Sequence, residues 1–260
     1  MPMEKNLNLL QIIGKKSSIV PEMAENPVFQ RITLLTGSRA AEILRNSRAI
    51  VVGLGGVGSW CAEALVRSGI GGISLVDSDT VCASNINRQI EAASSTVGRL
   101  KTAALEERLK DINPSCEIRS FPLFFTGETA AQIDIPGADY VIDAIDSINS
   151  KLDLIETALA SGITLFSSMG MAQKLDPTLV RTADVWETRV CPLARLVRAG
   201  LRKRNISGHF TAVYSQESSK QSCVAEPEHS RSAGLGSVVT VTATAGMVLA
   251  SLVIKDVCLR

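Results

Sequence analysis

The sequence has almost no net charge. Its 27 lysines and arginines nearly balance 26 aspartates and glutamates, which leaves +1 over 260 residues. Non-specific attraction to a polyanion depends on an excess of positive charge, which this chain lacks as a whole. Any nucleic-acid surface therefore has to be a local basic patch. With 45% apolar and 20% charged residues, the composition is that of an ordinary globular protein rather than a disordered or fibrous one.

Paired cysteines are missing as well. The six cysteines stand at positions 61, 82, 116, 191, 223 and 258, and none forms a Cys-x-x-Cys pair. This spacing excludes a short disulfide framework and favours a reducing, cytoplasmic location. Residues 1–11 lack a charged stretch followed by an apolar one and a small-residue cleavage site, so we expect no secretory signal.

One segment, 238–254, is apolar enough to suggest a membrane span. It is shorter than the roughly 20 apolar residues that a spanning helix needs. It also carries hydroxyl side chains at Thr240, Thr242, Thr244 and Ser251. We therefore expect a buried strand and helix here, and no stable insertion into a membrane.

Strands and helices alternate from residue 49 onward. Apolar runs predict strands at 49–52, 73–76, 140–142 and 163–166 and an outer strand at 117–121, and helical spacing predicts helices at 59–68, 100–112 and 151–160. This alternation is typical of a doubly wound, Rossmann-like, mostly parallel sheet with helices on both faces. Beyond residue 170 the pattern loosens, so we expect added antiparallel strands at 179–182 and 210–214, a basic helix at 192–204 and a long loop at 215–236.

A glycine-rich turn follows the first predicted strand. Gly53, Gly55, Gly56 and Gly58 allow the backbone to approach a ligand closely, and the free N–H groups at the start of the next helix face an anion. Asp77 ends the second strand nineteen residues after Gly58, where a carboxylate can accept hydrogen bonds from a ribose. The turn therefore predicts a bound nucleotide, and by itself leaves NAD and ATP equally open.

The segment after Asp77 favours ATP. It supplies polar and charged side chains suited to a triphosphate, namely Asp79, Asn85, Arg88, Gln89 and Lys101. Arg88 and Lys101 could neutralise charge at the phosphates. Asp146 follows the predicted strand 140–142, at the edge where parallel sheets bind ligands, and could hold Mg²⁺, which prefers one or two carboxylates plus phosphate oxygens. Arg88, Lys101 and Asp146 are the candidate catalytic residues, although each alone would more often be a solvated surface charge.

Five motifs together resemble the E1-like adenylating enzymes, the superfamily of the molybdopterin and thiamine sulfur-carrier activators and of the ubiquitin-activating enzymes. They lie at 53–60, 85–89, 143–147, 169–178 and 214–217. Within the superfamily the later motifs look most like those of the tRNA threonylcarbamoyladenosine dehydratases. The resemblance covers most of the chain.

The residues at 1–27 predict a weakly ordered lead-in. The resemblance implies a single E1-like domain at 28–260, with a nucleotide-binding half at 28–168 and a substrate and dimer half at 169–260. Asp77 would bind the ribose and Asp146 the metal, whereas the phosphates would be bound by Asn85, Arg88, Gln89 and Lys101. Arg31 lines up with an arginine that related enzymes extend across a dimer to the partner's nucleotide. A homodimer is therefore implied.

The resemblance also implies the reaction. ATP, with Mg²⁺, would adenylate the carboxylate of the threonylcarbamoyl group on the adenosine beside the tRNA anticodon, and cyclisation would displace AMP. Such a reaction needs no enzyme thiol, so Cys191 is interpreted mainly as a structural thiol, although sulfur-carrier activators keep a loop cysteine nearby. A sulfur-transfer protein is a further candidate partner.

A basic tract in the predicted helix 192–204 is the candidate surface for tRNA, or simply a solvated face. It contains Arg195, Arg198, Arg202, Lys203 and Arg204.

Three other functions stay open at this point: a sulfur-carrier adenylyltransferase, disfavoured because many of these hold zinc through two Cys-x-x-Cys pairs; an NAD-dependent oxidoreductase, which leaves Arg88 and Lys101 unexplained; and a non-catalytic nucleotide-binding scaffold.

Overall fold

The computed structural model describes residues 26–218 and 235–260. The predicted lead-in at 1–27 therefore lies outside the described residues except for its last two positions. Most of the predicted loop at 215–236 lies outside them too. Ser215, which we assigned to that loop, is instead the last residue of a strand.

Seven strands form a single sheet, and seven α-helices accompany it within the described residues. The strands are β1 (Arg48–Val52), β2 (Gly72–Val76), β3 (Glu117–Phe121), β4 (Tyr140–Asp143), β5 (Thr164–Ser168), β6 (Val180–Asp184) and β7 (Thr211–Ser215). The helices are α1 (Gln30–Thr36), α2 (Ser38–Asn46), α3 (Gly58–Arg67), α4 (Lys101–Ile112), α5 (Ile148–Ala160), α6 (Pro192–Lys203) and α7 (Val239–Leu259).

The strand order is β3-β2-β1-β4-β5-β7-β6, and every neighbouring pair is parallel except β6 with β7. The predicted fold class is thereby confirmed, including the antiparallel addition in the C-terminal part. The chain leaves β1 toward β2 on one side and returns to β4 on the other. The carboxyl ends of β1 and β4 therefore flank the crevice in which open α/β sheets bind their ligands.

Each face of the sheet has its own hydrophobic core. On β1, Ala49 and Val51 pack into one core with residues of α3, α4 and α7, whereas Ile50 and Val52 pack into the other with residues of α5 and α6. This alternation is what a strand covered by helices on both faces requires. Both cores combine residues from either side of position 168, and the division into two halves there stays a prediction.

Helix α7 differs from the predicted strand and helix, because it is one continuous helix from Val239 to Leu259. Its β-branched start resembles a strand in sequence, yet its buried residues recur at helical spacing: Val241, Thr242, Ala245, Gly246, Leu249, Ala250, Val253 and Val257. By length and composition α7 could also cross a membrane, which is weak support for a span because buried core helices pass the same criterion. It packs against α3 so closely that a Cβ at Gly246 would lie 2.5 Å from the carbonyl oxygen of Val57.

The N-terminal pair α1 and α2 was not predicted. The two helices are short, and α1 contains no buried residue, so a strong helical stripe is missing from its sequence. Helix α5 begins at Ile148, three residues earlier than predicted, because the chain turns into the helix immediately after the loop that follows β4.

Candidate nucleotide site

The glycine turn between β1 and α3 is held against the loop that follows β4. Gly53 has φ +90°, and a Cβ on it would lie 2.7 Å from the carbonyl oxygen of Ala144. A Cβ on Gly58 would lie 1.9 Å from the carbonyl oxygen of Gly53, so no larger residue fits there. Helix α3 begins at Gly58 without a side-chain cap. The Ser59 amide already donates to the Gly55 carbonyl at 3.2 Å, whereas the amides of residues 55–57 make no hydrogen bond among the described residues and are available to an anion such as a phosphate.

Asp77 and Lys101 adjoin this turn. One carboxylate oxygen of Asp77 accepts a hydrogen bond from the Leu54 amide at 2.7 Å, and the other accepts from the Asp79 amide at 2.8 Å. Lys101, the first residue of α4, is buried, and its Nζ lies 2.8 Å from Asp79 Oδ2 and 4.0 Å from Asp77 Oδ2. The structure thus brings together three of the predicted residues beside the turn.

Arg88 and Gln89 reach the same turn from the other side. A Cβ on Gly56 would lie 3.2 Å from Arg88 Cγ, and one on Gly55 would lie 4.0 Å from Gln89 Nε2. The Arg88 guanidinium donates to the Ser84 carbonyl at 2.8 Å and to Asn87 Oδ1 at 2.9 Å. The aliphatic part of the Arg88 side chain therefore lies against the turn, and its guanidinium donates to two uncharged oxygens. A phosphate could take the place of these acceptors.

Asn85 is further removed from the turn. Its Oδ1 accepts from the Cys82 amide at 3.0 Å and stabilises the short 3₁₀ helix Ala83–Asn85. None of the hydrogen bonds within 26–218 and 235–260 joins its side chain to the glycine turn. Its phosphate-binding role stays a prediction.

Beneath the loop after β4 lies a fully buried ion pair. Lys151 Nζ is 2.8 Å from Asp143 Oδ2 and also donates to the Ile145 carbonyl at 2.8 Å. Asp143 accepts further from Ser167 Oγ at 2.5 Å and from the Ile145 amide at 3.1 Å. These contacts fix the loop that presents Asp146.

Asp146 itself is exposed at the carboxyl end of β4. Among the described residues, no hydrogen bond or ion pair occupies its carboxylate, and no group of three or more His, Cys, Asp or Glu side chains could hold a metal alone. The residue present fits Mg²⁺ if phosphates bind at the glycine turn, because that ion favours one or two carboxylates with phosphate oxygens and waters as its other ligands.

Buried side-chain atoms without a hydrogen-bond partner concentrate around this site. In the described part of the chain they belong to Gln89, Glu91 and Ser147. Buried polar groups are normally hydrogen-bonded, so atoms like these are typical of a place where a ligand or water completes the bonding. Burial raises the pKa of the Glu91 carboxyl to about 7.

Sequence reasoning missed Glu91, and it also missed Thr242 on α7. A lone acid between Ile90 and Ala92 was the available signal for Glu91, since a carboxylate in an apolar run has to be solvated or specially placed. Thr242 Oγ1 would lie 3.1 Å from a Cβ on Gly56, so α7, the last helix of the chain, packs against the glycine turn. Sequence carries no local signal for that contact because the two residues are far apart in the chain.

Two other predicted residues do not join this site. Arg31 is exposed on α1, and none of the described hydrogen bonds or ion pairs connects it to the turn. Cys191 is a buried free thiol just before α6, where a Cβ on Gly170 would lie 3.8 Å from its Sγ. Both roles stay predictions.

The basic tract on α6 is partly engaged within the fold. Arg204 Nη1 pairs with Asp153 at 2.7 Å and Glu156 at 2.9 Å, Arg198 donates to Thr188 Oγ1, and the Arg202 guanidinium lies 5.3 Å from the centre of the Trp186 ring. Arg195 and Lys203 are exposed and make no such contact among the described residues. These two are the side chains of the tract that remain available to phosphates.

Comparison with known proteins places this site in a family. The sequence pattern of the ThiF family matches residues 29–258, which is most of the chain. The chain belongs to the ThiF family. Among curated proteins, the tRNA threonylcarbamoyladenosine dehydratase of Bacillus subtilis (strain 168) is 46% identical over 190 residues, covering 73% of this chain and 75% of that protein.

Solved structures agree with this assignment. The Escherichia coli tRNA N6-threonylcarbamoyladenosine dehydratase in complex with ATP has a TM-score of 0.80 and 36% identity, covering 88% of this ThiF-family chain and 93% of its own. The same enzyme in complex with AMP has a TM-score of 0.82 and 35% identity, covering 93% and 97%. The predicted resemblance to the dehydratase branch of the E1-like enzymes is confirmed.

Proposed function

We propose that this ThiF-family chain is an ATP-dependent tRNA threonylcarbamoyladenosine dehydratase. The observation that carries the proposal is the convergence of Lys101, Arg88 and Gln89 on an uncapped glycine turn, with buried polar atoms left unpartnered beside it. The similarity to dehydratases over most of their length, one of them in complex with ATP, supports the substrate.

In the first step the free carboxylate of the threonylcarbamoyl group attacks the α-phosphorus of ATP. A phosphoanhydride bond breaks, pyrophosphate leaves, and an acyl-adenylate forms. The unbonded amides of residues 55–57 in the glycine turn would bind phosphate oxygens, and Lys101 and Arg88 would neutralise the charge that develops on them. The exchange of Arg88 from its neutral acceptors to a phosphate replaces hydrogen bonds to uncharged oxygens by stronger ones to an anion.

In the second step a nucleophile within the modified nucleoside attacks the activated carbonyl carbon and displaces AMP. The attack is intramolecular, so it proceeds at high effective concentration and needs no covalent bond to the enzyme. The net change in the nucleoside is the loss of one water. Cys191, which is buried, then serves as a packed side chain rather than a nucleophile.

Asp146 is the proposed ligand for Mg²⁺, with Asp77 as the proposed ligand for the ribose. Mg²⁺ would supply charge neutralisation at the phosphates. The Asp143–Lys151 pair beneath the loop keeps Asp146 at the edge of the crevice, because it fixes the Ile145 peptide on both its N–H and C=O sides.

Two macromolecular partners belong to the proposal. The exposed Arg195 and Lys203 on α6 would meet tRNA phosphates. The outer face of α7 would meet a second copy of the chain, since Met247 and its neighbours line an apolar surface groove of about 550 Å³ beside Pro177. Arg31 would then act across that dimer, and a sulfur-transfer protein stays a further candidate partner. The free thiols of the described cysteines suit the cytoplasm, where modified tRNA is found.

The decisive experiment incubates the protein with ATP, Mg²⁺ and tRNA carrying the threonylcarbamoyl modification, followed by mass spectrometry of the nucleosides. We expect loss of one water from the modified adenosine together with release of AMP and pyrophosphate. Single Arg88→Ala, Lys101→Ala and Asp146→Ala variants should lose this activity while remaining folded.

Other outcomes would favour the competing functions. Full activity in all three variants would refute the site. Tight NAD binding without ATP affinity would point to an oxidoreductase, ATP binding without pyrophosphate exchange to a scaffold, and adenylation of a sulfur-carrier C-terminus in place of tRNA to a sulfur-carrier adenylyltransferase.

A further inference from the structure

Glu91 is a buried acid that the proposed reaction leaves without a role. Only 3% of the residue is exposed, and both carboxylate oxygens lack a hydrogen-bond partner within the described residues. Its own backbone amide and the Ser59 hydroxyl lie close enough to favour the ionised form, but burial outweighs them, and the hydroxyl donates to the Gly55 carbonyl at 2.7 Å. A buried carboxylate without donors is costly when ionised, and it persists where a change of charge is used or a ligand completes the site.

The charged groups that face Glu91 come from two other elements. Lys101, at the start of α4, favours the ionised form of Glu91, and Asp77, after β2, disfavours it. The charge of Lys101 is already shared, because its Nζ lies 2.8 Å from Asp79 Oδ2 and 4.0 Å from Asp77 Oδ2. The Lys101 ammonium therefore pairs with Asp79, lies near Asp77 and acts on Glu91 only through the longer-range electrostatic field.

Binding of a triphosphate changes this balance. If the phosphates bind at the turn, they bring several negative charges to the surroundings of this ammonium. An ionised Glu91 would repel them, whereas a protonated Glu91 would not. ATP should therefore bind preferentially to the form of the protein in which Glu91 carries a proton.

We infer that Glu91 is a positioning residue that takes up a proton from the solvent when ATP binds, which removes a negative charge from the surroundings of Lys101 and of the bound phosphates. The inference rests on the proposed ATP site and adds to it a dependence on pH. Because burial raises the pKa of Glu91 to about 7, the exchange occurs in the physiological range.

Isothermal titration calorimetry of ATP with Mg²⁺ tests this on the full chain without tRNA, at pH 7.5 in two buffers of different ionisation enthalpy. Wild type should take up about three-quarters of a proton per ATP, and its ATP affinity should fall about fivefold from pH 7 to pH 8, as follows for an acid of pKa about 7 that stays protonated in the complex. In Glu91→Gln both effects should disappear.

Glu187→Gln, at an exposed acid on another part of the surface, is the matched control and should behave as wild type. Glu91→Met provides a second neutral variant, and circular dichroism checks folding. The γ-phosphate of ATP with Mg²⁺ contributes equally to all variants, so only differences between them count.

The possible results separate the two proposals. Failure of wild type to bind ATP overturns the proposed function and this inference together. ATP binding by wild type with no proton uptake, or with uptake that Glu91→Gln retains, overturns the inference alone. Should neither neutral variant fold, Glu91→Asp keeps a titrating carboxyl on a shorter side chain, and proton uptake identical to that of wild type at every pH would overturn the inference.

Discussion

Two neighbouring regions at the carboxyl edge of the sheet bury charge in opposite ways. Beneath the loop after β4, Asp143 and Lys151 are both fully buried, and both are satisfied by an opposite charge, a hydroxyl or a backbone group. Beside the glycine turn, Glu91 is almost as deeply buried and has no hydrogen-bond donor within the described residues.

The two regions therefore have different roles: the first supports the structure of a loop, and the second serves the binding of a ligand. A paired and fully hydrogen-bonded charge shapes the loop it touches and has nothing left to offer a ligand. An unpaired one stores an electrostatic cost that ligand or proton binding can relieve. If this distinction is correct, substitutions in the first region should alter stability at every pH, whereas substitutions in the second should alter binding and the pH dependence of both binding and stability.

The largest effect on stability is expected from Lys151→Met. The substitution leaves Asp143 buried without its cation, and breaking such a pair costs roughly 3–5 kcal/mol. Urea unfolding monitored by circular dichroism would measure the loss. Lys255→Met, at an exposed lysine on α7, is the control and should change the unfolding free energy by less than about 0.5 kcal/mol. A loss for Lys151→Met as small as that of the control would contradict the supporting role of the pair.

Lys101→Met should show the reverse profile. Removing a cation that stabilises developing charge lowers the rate on the order of 10²–10³-fold. Unfolding free energy should change much less than for Lys151→Met, since Lys101 pairs with an Asp79 side chain that is 65% exposed. Dehydration rates and urea unfolding on the same preparation give both numbers. A variant that loses stability but keeps its rate would reverse the distinction.

The same two regions show what sequence could and could not predict. The strand-turn-helix pattern at 49–68 and the residue types at Asp77, Arg88 and Lys101 were local signals, because glycine spacing and strand ends fix where those side chains go. The Asp143–Lys151 pair and the unpartnered state of Glu91 were not predictable, since they depend on which helices cover which face. The same is true of α7, whose contact with Gly56 joins distant parts of the chain.

For Glu91→Gln we expect a smaller change in stability than for Lys151→Met, and one that depends on pH. Burial raises the pKa of Glu91 from 4.5 to about 7, so between these values the folded chain binds more protons than the unfolded chain. Wild-type stability therefore falls as the pH rises through this window and levels off above pH 7, by about 3 kcal/mol at most. The variant lacks this loss. Its unfolding free energy relative to wild type should rise from pH 5 to 7 and then stay constant in urea titrations, and a constant difference throughout would show that Glu91 titrates normally.

The smallest effect is expected where neither kind of burial applies, at Arg195 and Lys203 on α6. Both are exposed, so the double Gln variant should unfold like wild type within about 0.5 kcal/mol. If the two side chains bind tRNA phosphates, the slope of log affinity against log salt should fall by about 0.7–0.9 for each phosphate that the variant no longer neutralises, as counterion release requires. Filter binding of tRNA over a range of salt concentrations measures the slope.

The neighbouring Arg204→Gln is the informative contrast, because Arg204 is already paired with Asp153 and Glu156 and should affect stability more than the salt slope. An unchanged slope in the double variant would leave α6 as a solvated basic face and move the search for the tRNA surface elsewhere on the molecule.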